Sequence, residues 1–205
     1  MNVQYLILAL PVLFFAVVMH EYAHGWMAEK AGDPTARQMG RLTLNPLAHV
    51  DPVGTVILPI LLIVIKSPIL FGWAKPVPIN PLNFHNPKRD IIRVSLAGAA
   101  ANLMLAVVCS ILLRISFLIA ELPALKIILE IGVLINLILG VFNLIPIPPL
   151  DGSKVLAALL PYELAQKFNK LEPYGFLILL GLLWFGVIHF ILSIVISPLY
   201  ALLMH

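Results

Sequence analysis

The chain has 205 residues, enough for one domain, and 61% of them are apolar while 11% are charged, against roughly 25% charged in soluble domains. With a mean hydropathy of +1.02, this composition excludes a water-soluble core, a disordered chain, a coiled coil and a disulfide-built secreted fold, because a soluble domain of this size still exposes about a third of the surface its unfolded chain would expose. The formal net charge of +3 does not point to nucleic acid, since no basic run exceeds Lys88-Arg89.

The expected elements follow in chain order. Tyr5 to Met27 is a first membrane span, apolar except for His20, Glu21 and His24 near its end. No basic residue precedes it and no small-residue cleavage site follows, so it reads as a retained helix and not as a signal peptide. Glu29 to Pro52 is polar, with turn signals at Gly32-Asp33-Pro34 and Asn45-Pro46. Val53 to Ile65 is apolar again but falls short of the roughly 20 residues a crossing helix needs and contains Pro59. Lys66-Ser67-Pro68 and the proline-rich stretch from Gly72 to Pro78 follow, so Val53 to Asn80 reads as a re-entrant or interfacial element.

Long apolar segments then run from Ile91 to Ile119, from Ile127 to Ile145 and from Tyr174 to Leu203, the last long enough to cross with tilt or to kink at Gly186. Pro146-Ile147-Pro148-Pro149-Leu150-Asp151-Gly152 must end the second of these. Ser153 to Leu171 carries Lys154, Glu163, Lys167 and Lys170 and reads as a surface stretch. Cys109 sits inside an apolar run as a small hydrophobe. The expected fold is an all-α polytopic membrane protein, residues 1–205 forming a single domain of about four to five transmembrane helices. A re-entrant or β-like element separates the first and second full spans.

Eleven of the 13 Lys and Arg lie between the first and second spans or after Asp151; only Arg114 and Lys126 flank the connection between the middle spans. By the positive-inside rule the large polar segments face the cytoplasm. Residues 29 to 90 must then begin and end on the same side.

His20-Glu21-Tyr22-Ala23-His24 is a His-Glu-x-x-His motif inside an apolar helix. Residues i and i+4 share a helical face, so both imidazoles can bind one metal ion, while Glu21 can reach a metal-bound water as general base. Three ionisable side chains at membrane depth are expensive and need a partner or a purpose. A catalytic zinc takes a third protein ligand, for which Asp51, Asp90, Glu121, Glu130 and Asp151 are the carboxylates near apolar segments. Asp151 follows a span and a proline-rich break where non-helical backbone can line a polar cavity. Its span runs in the same direction as the first, which delivers it to the depth of the His pair. His49 and Asp51 form an alternative pair at the edge of a loop, with helix capping as the ordinary role for Asp51.

The His-Glu-x-x-His motif together with Asn143-Leu144-Ile145-Pro146-Ile147-Pro148-Pro149-Leu150-Asp151-Gly152 resembles the site-2 protease family of intramembrane zinc metalloproteases. Gly98-Ala99-Ala100-Ala101-Asn102 is similar to the family's Gly-x-x-x-Asn element, and Gly72 to Asn80 resembles the membrane-associated β element of bacterial members. The resemblance runs from about Val12 to Lys154 and is to the compact branch without an inserted peptide-binding or regulatory domain. It implies one zinc per chain held by His20, His24 and Asp151, Glu21 as acid/base, and Asn143 as a catalytic residue binding the substrate backbone or oxyanion. The expected activity is hydrolysis of transmembrane protein substrates near the cytoplasmic side of a prokaryotic plasma membrane, with the lipid bilayer as surroundings and no nucleic-acid partner. A zinc transporter or an inactive metal-binding scaffold are the competing readings; the first would need polar residues at several depths, and the second is disfavoured by the retained Glu21. Nothing in the sequence specifies an oligomeric state.

Overall fold

The computed structural model describes residues 3–57, 60, 61, 64, 74–119 and 122–205. Pro59, Lys66-Ser67-Pro68, Gly72 and Glu121 lie outside the described residues. Helix α1 covers Val3–Lys30, α2 Thr35–Gln38, α3 Pro87–Ile119, α4 Pro123–Asn143, α5 Asp151–Leu159, α6 Tyr162–Asn169, α7 Gly175–Trp184 and α8 Val187–Met204. Among the described residues there is no β-strand. Four helices among the described residues are long and apolar enough to cross a membrane: Ile7–Lys30 within α1, Pro87–Phe117 within α3, α4 and α8.

The helix limits follow from local chemistry. The Asn86 side chain accepts the Arg89 N–H at 3.3 Å while Asp90 Oδ2 accepts the Asn86 N–H at 2.8 Å, a reciprocal cap that starts α3 just before Pro87. Pro123 occupies the first turn of α4. That helix stops at Asn143 because Pro146 has no N–H to continue the ladder and disfavours helical backbone at Ile145. The chain then doubles back so tightly that a Cβ on Gly152 would lie 2.2 Å from the Leu144 carbonyl oxygen. A side chain there would push the proline-rich loop off the start of α5 and carry Asp151 with it.

The last apolar segment, Tyr174 to Leu203, open in the sequence to a tilted crossing or a kink at Gly186, takes the second form. Gly186 adopts φ +73° and divides the segment into α7 and α8. Left-handed backbone is open to glycine and cannot be absorbed within an α-helix. Helix α7, with 10 residues, is about 15 Å long and too short to cross.

Helix α3 is central, packing along both α1 and α4, with α5 docked on it and α8 against α4. Ala106 of α3, Val133, Leu137 and Val141 of α4 and Ile196 of α8 form one buried cluster. Small residues let the helices approach: a Cβ on Gly132 would come within 2.8 Å of Cys109 Sγ. Cys109 is thus a packing residue of the α3–α4 contact. Outward faces carry exposed Ile7, Phe15, Met104, Ile111 and Phe190, the pattern of a bundle solvated by lipid.

The segment between α1 and α3 returns to where it starts. The Lys75 N–H donates to the His49 carbonyl at 2.9 Å, which brings these two points of the segment together. Of the stretch expected to be re-entrant, residues 58, 59, 62, 63 and 65–73 lie outside the described residues. Residues 74–80 form neither helix nor strand, so the β-like element expected there is irregular backbone, extended at Asn80 (φ −114°, ψ 99°) and held by side chains. Arg41 Nη2 donates to the Lys75 and Pro76 carbonyls at 2.9 and 3.2 Å. Asp33, fully buried, accepts the Asn80 N–H at 2.7 Å and the Asn83 amide at 2.8 Å. Burial alone would push the Asp33 carboxyl up, but hydrogen bonds from Thr35, Asn83 and Asn80 outweigh it and hold the group below its ordinary range.

Candidate metal centre

His20 and His24 lie one turn apart on α1, 7% and 6% exposed, and face α3 where Gly98 sits. Asp151, in the first turn of α5, reaches the same point from the other side and is 6% exposed. Three donor atoms meet there. His20 Nε2 is 3.1 Å and His24 Nε2 2.9 Å from Asp151 Oδ2, and the two Nε2 atoms are 3.0 Å apart. Among the described residues this is the group of three that could hold a metal ion. The helix-to-helix spacing is set by Gly98, on which a Cβ would fall 2.5 Å from His24 Nε2 and 2.6 Å from His20 Nε2.

The outer ring nitrogens decide what the inner ones can do. His20 Nδ1 bonds Asn102 Oδ1 at 2.7 Å, and His24 Nδ1 bonds the Val94 carbonyl at 2.7 Å. Both partners are acceptors, so each Nδ1 carries the proton and each neutral ring presents an Nε2 lone pair. Two lone pairs and a carboxylate converging at about 3 Å repel one another unless a cation lies among them. Tetrahedral zinc with bonds of about 2.0 Å keeps its ligand atoms about 3.3 Å apart, so the observed triangle need open by only a few tenths of an ångström. The donor set suits zinc. Asp151 Oδ1 is taken by Lys154 Nζ at 3.0 Å, which leaves Oδ2 as the free carboxylate oxygen.

Glu21 follows His20 at about 100° round the helix. Its Oε2 accepts the Val77 N–H at 2.8 Å, which brings the 74–80 segment against the base of the motif. Val77 is itself buried, and a Cβ on Gly25 would meet its Cγ1 at 2.9 Å.

The alternative ligands are committed elsewhere. Asp51 Oδ1 accepts the Val53 and Gly54 N–H groups as a cap, and His49 Nε2 donates to the Thr43 carbonyl. Asp90 caps α3. Asn143 ends α4 with its amide donating to the Leu139 carbonyl at 3.0 Å and makes no hydrogen bond to His20, His24 or Asp151. Sequence reasoning passed over Lys154, Val77 and Asn136, whose side chain bonds Asn102 at 2.9 Å. A lone amide in the apolar run of α4 was the available signal for the last.

Two buried histidines one turn apart on a helix long enough to span, a glutamate beside the first and a buried carboxylate brought in by α5 are the equipment of a membrane-embedded zinc metalloprotease. Residues 117–185 match the family model described as Peptidase family M50. The chain is 40% identical over 184 residues to YwhC of Bacillus subtilis, named as a zinc metalloprotease, covering 87% of this chain and 79% of that one. It is 33% identical over 177 residues to Rip2 of Mycolicibacterium smegmatis, similarly named, covering 86% and 66%. Zinc metalloprotease MJ0392 of Methanocaldococcus jannaschii is 24% identical over 161 residues, covering 78% of this chain and 35% of its own length. No solved structure matches. The chain belongs to peptidase family M50, the site-2 protease family, and is a zinc metalloprotease.

Proposed function

We propose that this protein hydrolyses peptide bonds of transmembrane substrates inside the bilayer, near its cytoplasmic face, with zinc held by His20, His24 and Asp151. The observation that carries the reading is the convergence of these donor atoms at 2.9 to 3.1 Å, with His20 and His24 on a helix long and apolar enough to span a membrane and Asp151 brought to them by α5. Buried between helices, such a site is reached more directly by a chain already in the membrane than by one in water. The cytoplasmic assignment rests on the basic residues around the 29–90 segment and after Asp151.

Zinc bound there supplies a Lewis acid for the scissile carbonyl and makes water acidic enough to ionise near neutral pH. The chain's own residues do the rest. Glu21 takes a proton from the attacking water as its oxygen adds to the carbonyl carbon, then delivers that proton to the amide nitrogen as the C–N bond breaks. One carboxylate therefore serves as base and then acid, and it ends the cycle ionised. The 74–80 segment, whose Val77 N–H bonds Glu21, offers backbone groups to an unwound substrate strand by β-augmentation. Asn143 binds the substrate backbone or the oxyanion once its amide turns from Leu139.

Glu21→Gln keeps shape and removes the proton acceptor. Near-normal zinc content, with cleavage of a reconstituted single-span substrate reduced at least about a hundredfold, is expected. Cleavage at the unmodified rate would refute the mechanism. Loss of zinc would reassign Glu21 to the metal site.

A further inference from the structure

Behind His20 stands a line of hydrogen bonds whose direction is fixed at its far end. The Gly132 backbone carbonyl can only accept, so the Asn136 group 2.8 Å from it must be the amide Nδ2. That turns Asn136 Oδ1 toward Asn102, whose Nδ2 donates to it at 2.9 Å. The other Asn102 N–H donates to the Ala16 carbonyl at 3.1 Å, again a pure acceptor. With both amide protons used, Asn102 can offer His20 only Oδ1, and the 2.7 Å contact must be an Nδ1–H donation from the ring.

We propose that Asn136 is a positioning residue for the metal centre, acting through Asn102 to hold His20 in the tautomer and ring orientation that point the Nε2 lone pair at the metal. The line joins α4, α3 and α1, and each side chain in it is buried: Asn136 is 3% exposed, Asn102 0% and His20 7%. Burial in a bundle core makes an unpaired amide costly, so the polarity of the line is enforced along its whole length. Asn136 also borders an apolar cleft of about 260 Å³ lined by Pro11, Phe15, Cys109 and Leu129. An amide facing such surroundings costs stability and is explained by what it orients. Two acceptors fix Asn102, the Ala16 carbonyl and Asn136, so loss of Asn136 loosens His20 while loss of Asn102 frees it.

The proposal rests on the reading of His20 as a zinc ligand, and the test separates the two. Zinc dissociation constants are measured on the purified full chain in detergent by competition with a chelating dye, with cobalt substitution to read ligand geometry from its visible absorption. Asn102→Leu is expected to weaken zinc binding about 10- to 100-fold, the usual cost of losing such an outer partner. Asn136→Leu should weaken it less, about 3- to 10-fold on the same scale, and shift the cobalt spectrum. Combined with Asn102→Leu it should add nothing, because Asn136 acts only through Asn102. Asn136→Asp, which when protonated can both donate to Gly132 and accept from Asn102, should restore the affinity and serves as the folded control. Additive losses in the double variant, or an unchanged zinc constant in Asn136→Leu, would overturn the proposal. Failure of the unmodified chain to bind zinc, or full zinc affinity in His20→Ala, would overturn the ligand assignment instead.

Discussion

Replacing Gly98 by Ala tests how closely the metal centre depends on the approach of α1 and α3. The added methyl would lie 2.5 Å from His24 Nε2, 2.6 Å from His20 Cε1 and 2.6 Å from His20 Nε2, where 3.4 Å begins ordinary contact. The overlap is about 0.9 Å, and neither ring can swing freely, because each is pinned at Nδ1 by Asn102 or Val94. Either α3 retreats from α1 by about that distance or the imidazoles give up their outer hydrogen bonds. Overpacking of this kind costs about 1 to 3 kcal/mol of stability. A misplacement near 1 Å at a reacting centre costs about a hundredfold in rate. Gly98→Ala should therefore fold with a lowered thermal midpoint, bind zinc at least about tenfold more weakly, and cleave a reconstituted substrate about a hundredfold more slowly. Gly181→Ala, on α7 with nothing within 4 Å of its added methyl, is the control and should be neutral or slightly stabilising. Unchanged zinc affinity and cleavage in Gly98→Ala would refute the claim that this glycine sets the distance between the His pair and α3.

Asp151→Asn removes the charged member of the donor set and should lower zinc occupancy in metal analysis of the purified protein; full occupancy would exclude Asp151 as a ligand. Asp33→Asn should loosen the 74–80 segment, seen as faster amide exchange at Asn80 and reduced cleavage with zinc content retained. Because the folded Asp33 carboxyl titrates below its ordinary range, its stabilisation is present above about pH 4 and lost as pH falls further. The difference in thermal midpoint between the unmodified chain and Asp33→Asn should accordingly shrink below about pH 4, and a constant difference would refute the role. A cysteine placed at Asn86, in a Cys109→Ala background, should react with a membrane-impermeant thiol reagent only from the cytoplasmic side; labelling from outside would invert the topology argued from the basic residues.

Much of this protein is written in local chemistry. Runs of apolar residues long enough to cross a bilayer mark α1, α3 and α4, because in lipid the backbone must satisfy its own hydrogen bonds within the segment. The i, i+4 spacing of His20 and His24 puts two imidazoles on one face wherever that helix lies. Pro146 ends α4 whatever surrounds it. These are effects of neighbours in sequence, legible in a short window.

What the tertiary structure decides involves residues far apart in the chain. Asp151 is 131 positions from His20, and its arrival beside the ring depends on the reversal at Gly152 and the docking of α5 on α3. The return of the chain from His49 to Lys75, and with it the placing of Val77 on Glu21, depends on anchors at Arg41 and Asp33 whose partners no periodicity reveals. Gly186 offered a kink in an apolar run, and only its positive φ decided that the last segment divides into α7 and α8. Asn136, one amide in a hydrophobic helix, gained its meaning only when α4 packed against α3 and turned it toward Asn102. Hydrophobicity in a membrane chain specifies which segments are helices, but every lipid-facing surface is equally apolar, so it leaves open which faces meet. Close approach at small residues and the pairing of a few buried polar groups make that choice, and both are properties of helices brought together.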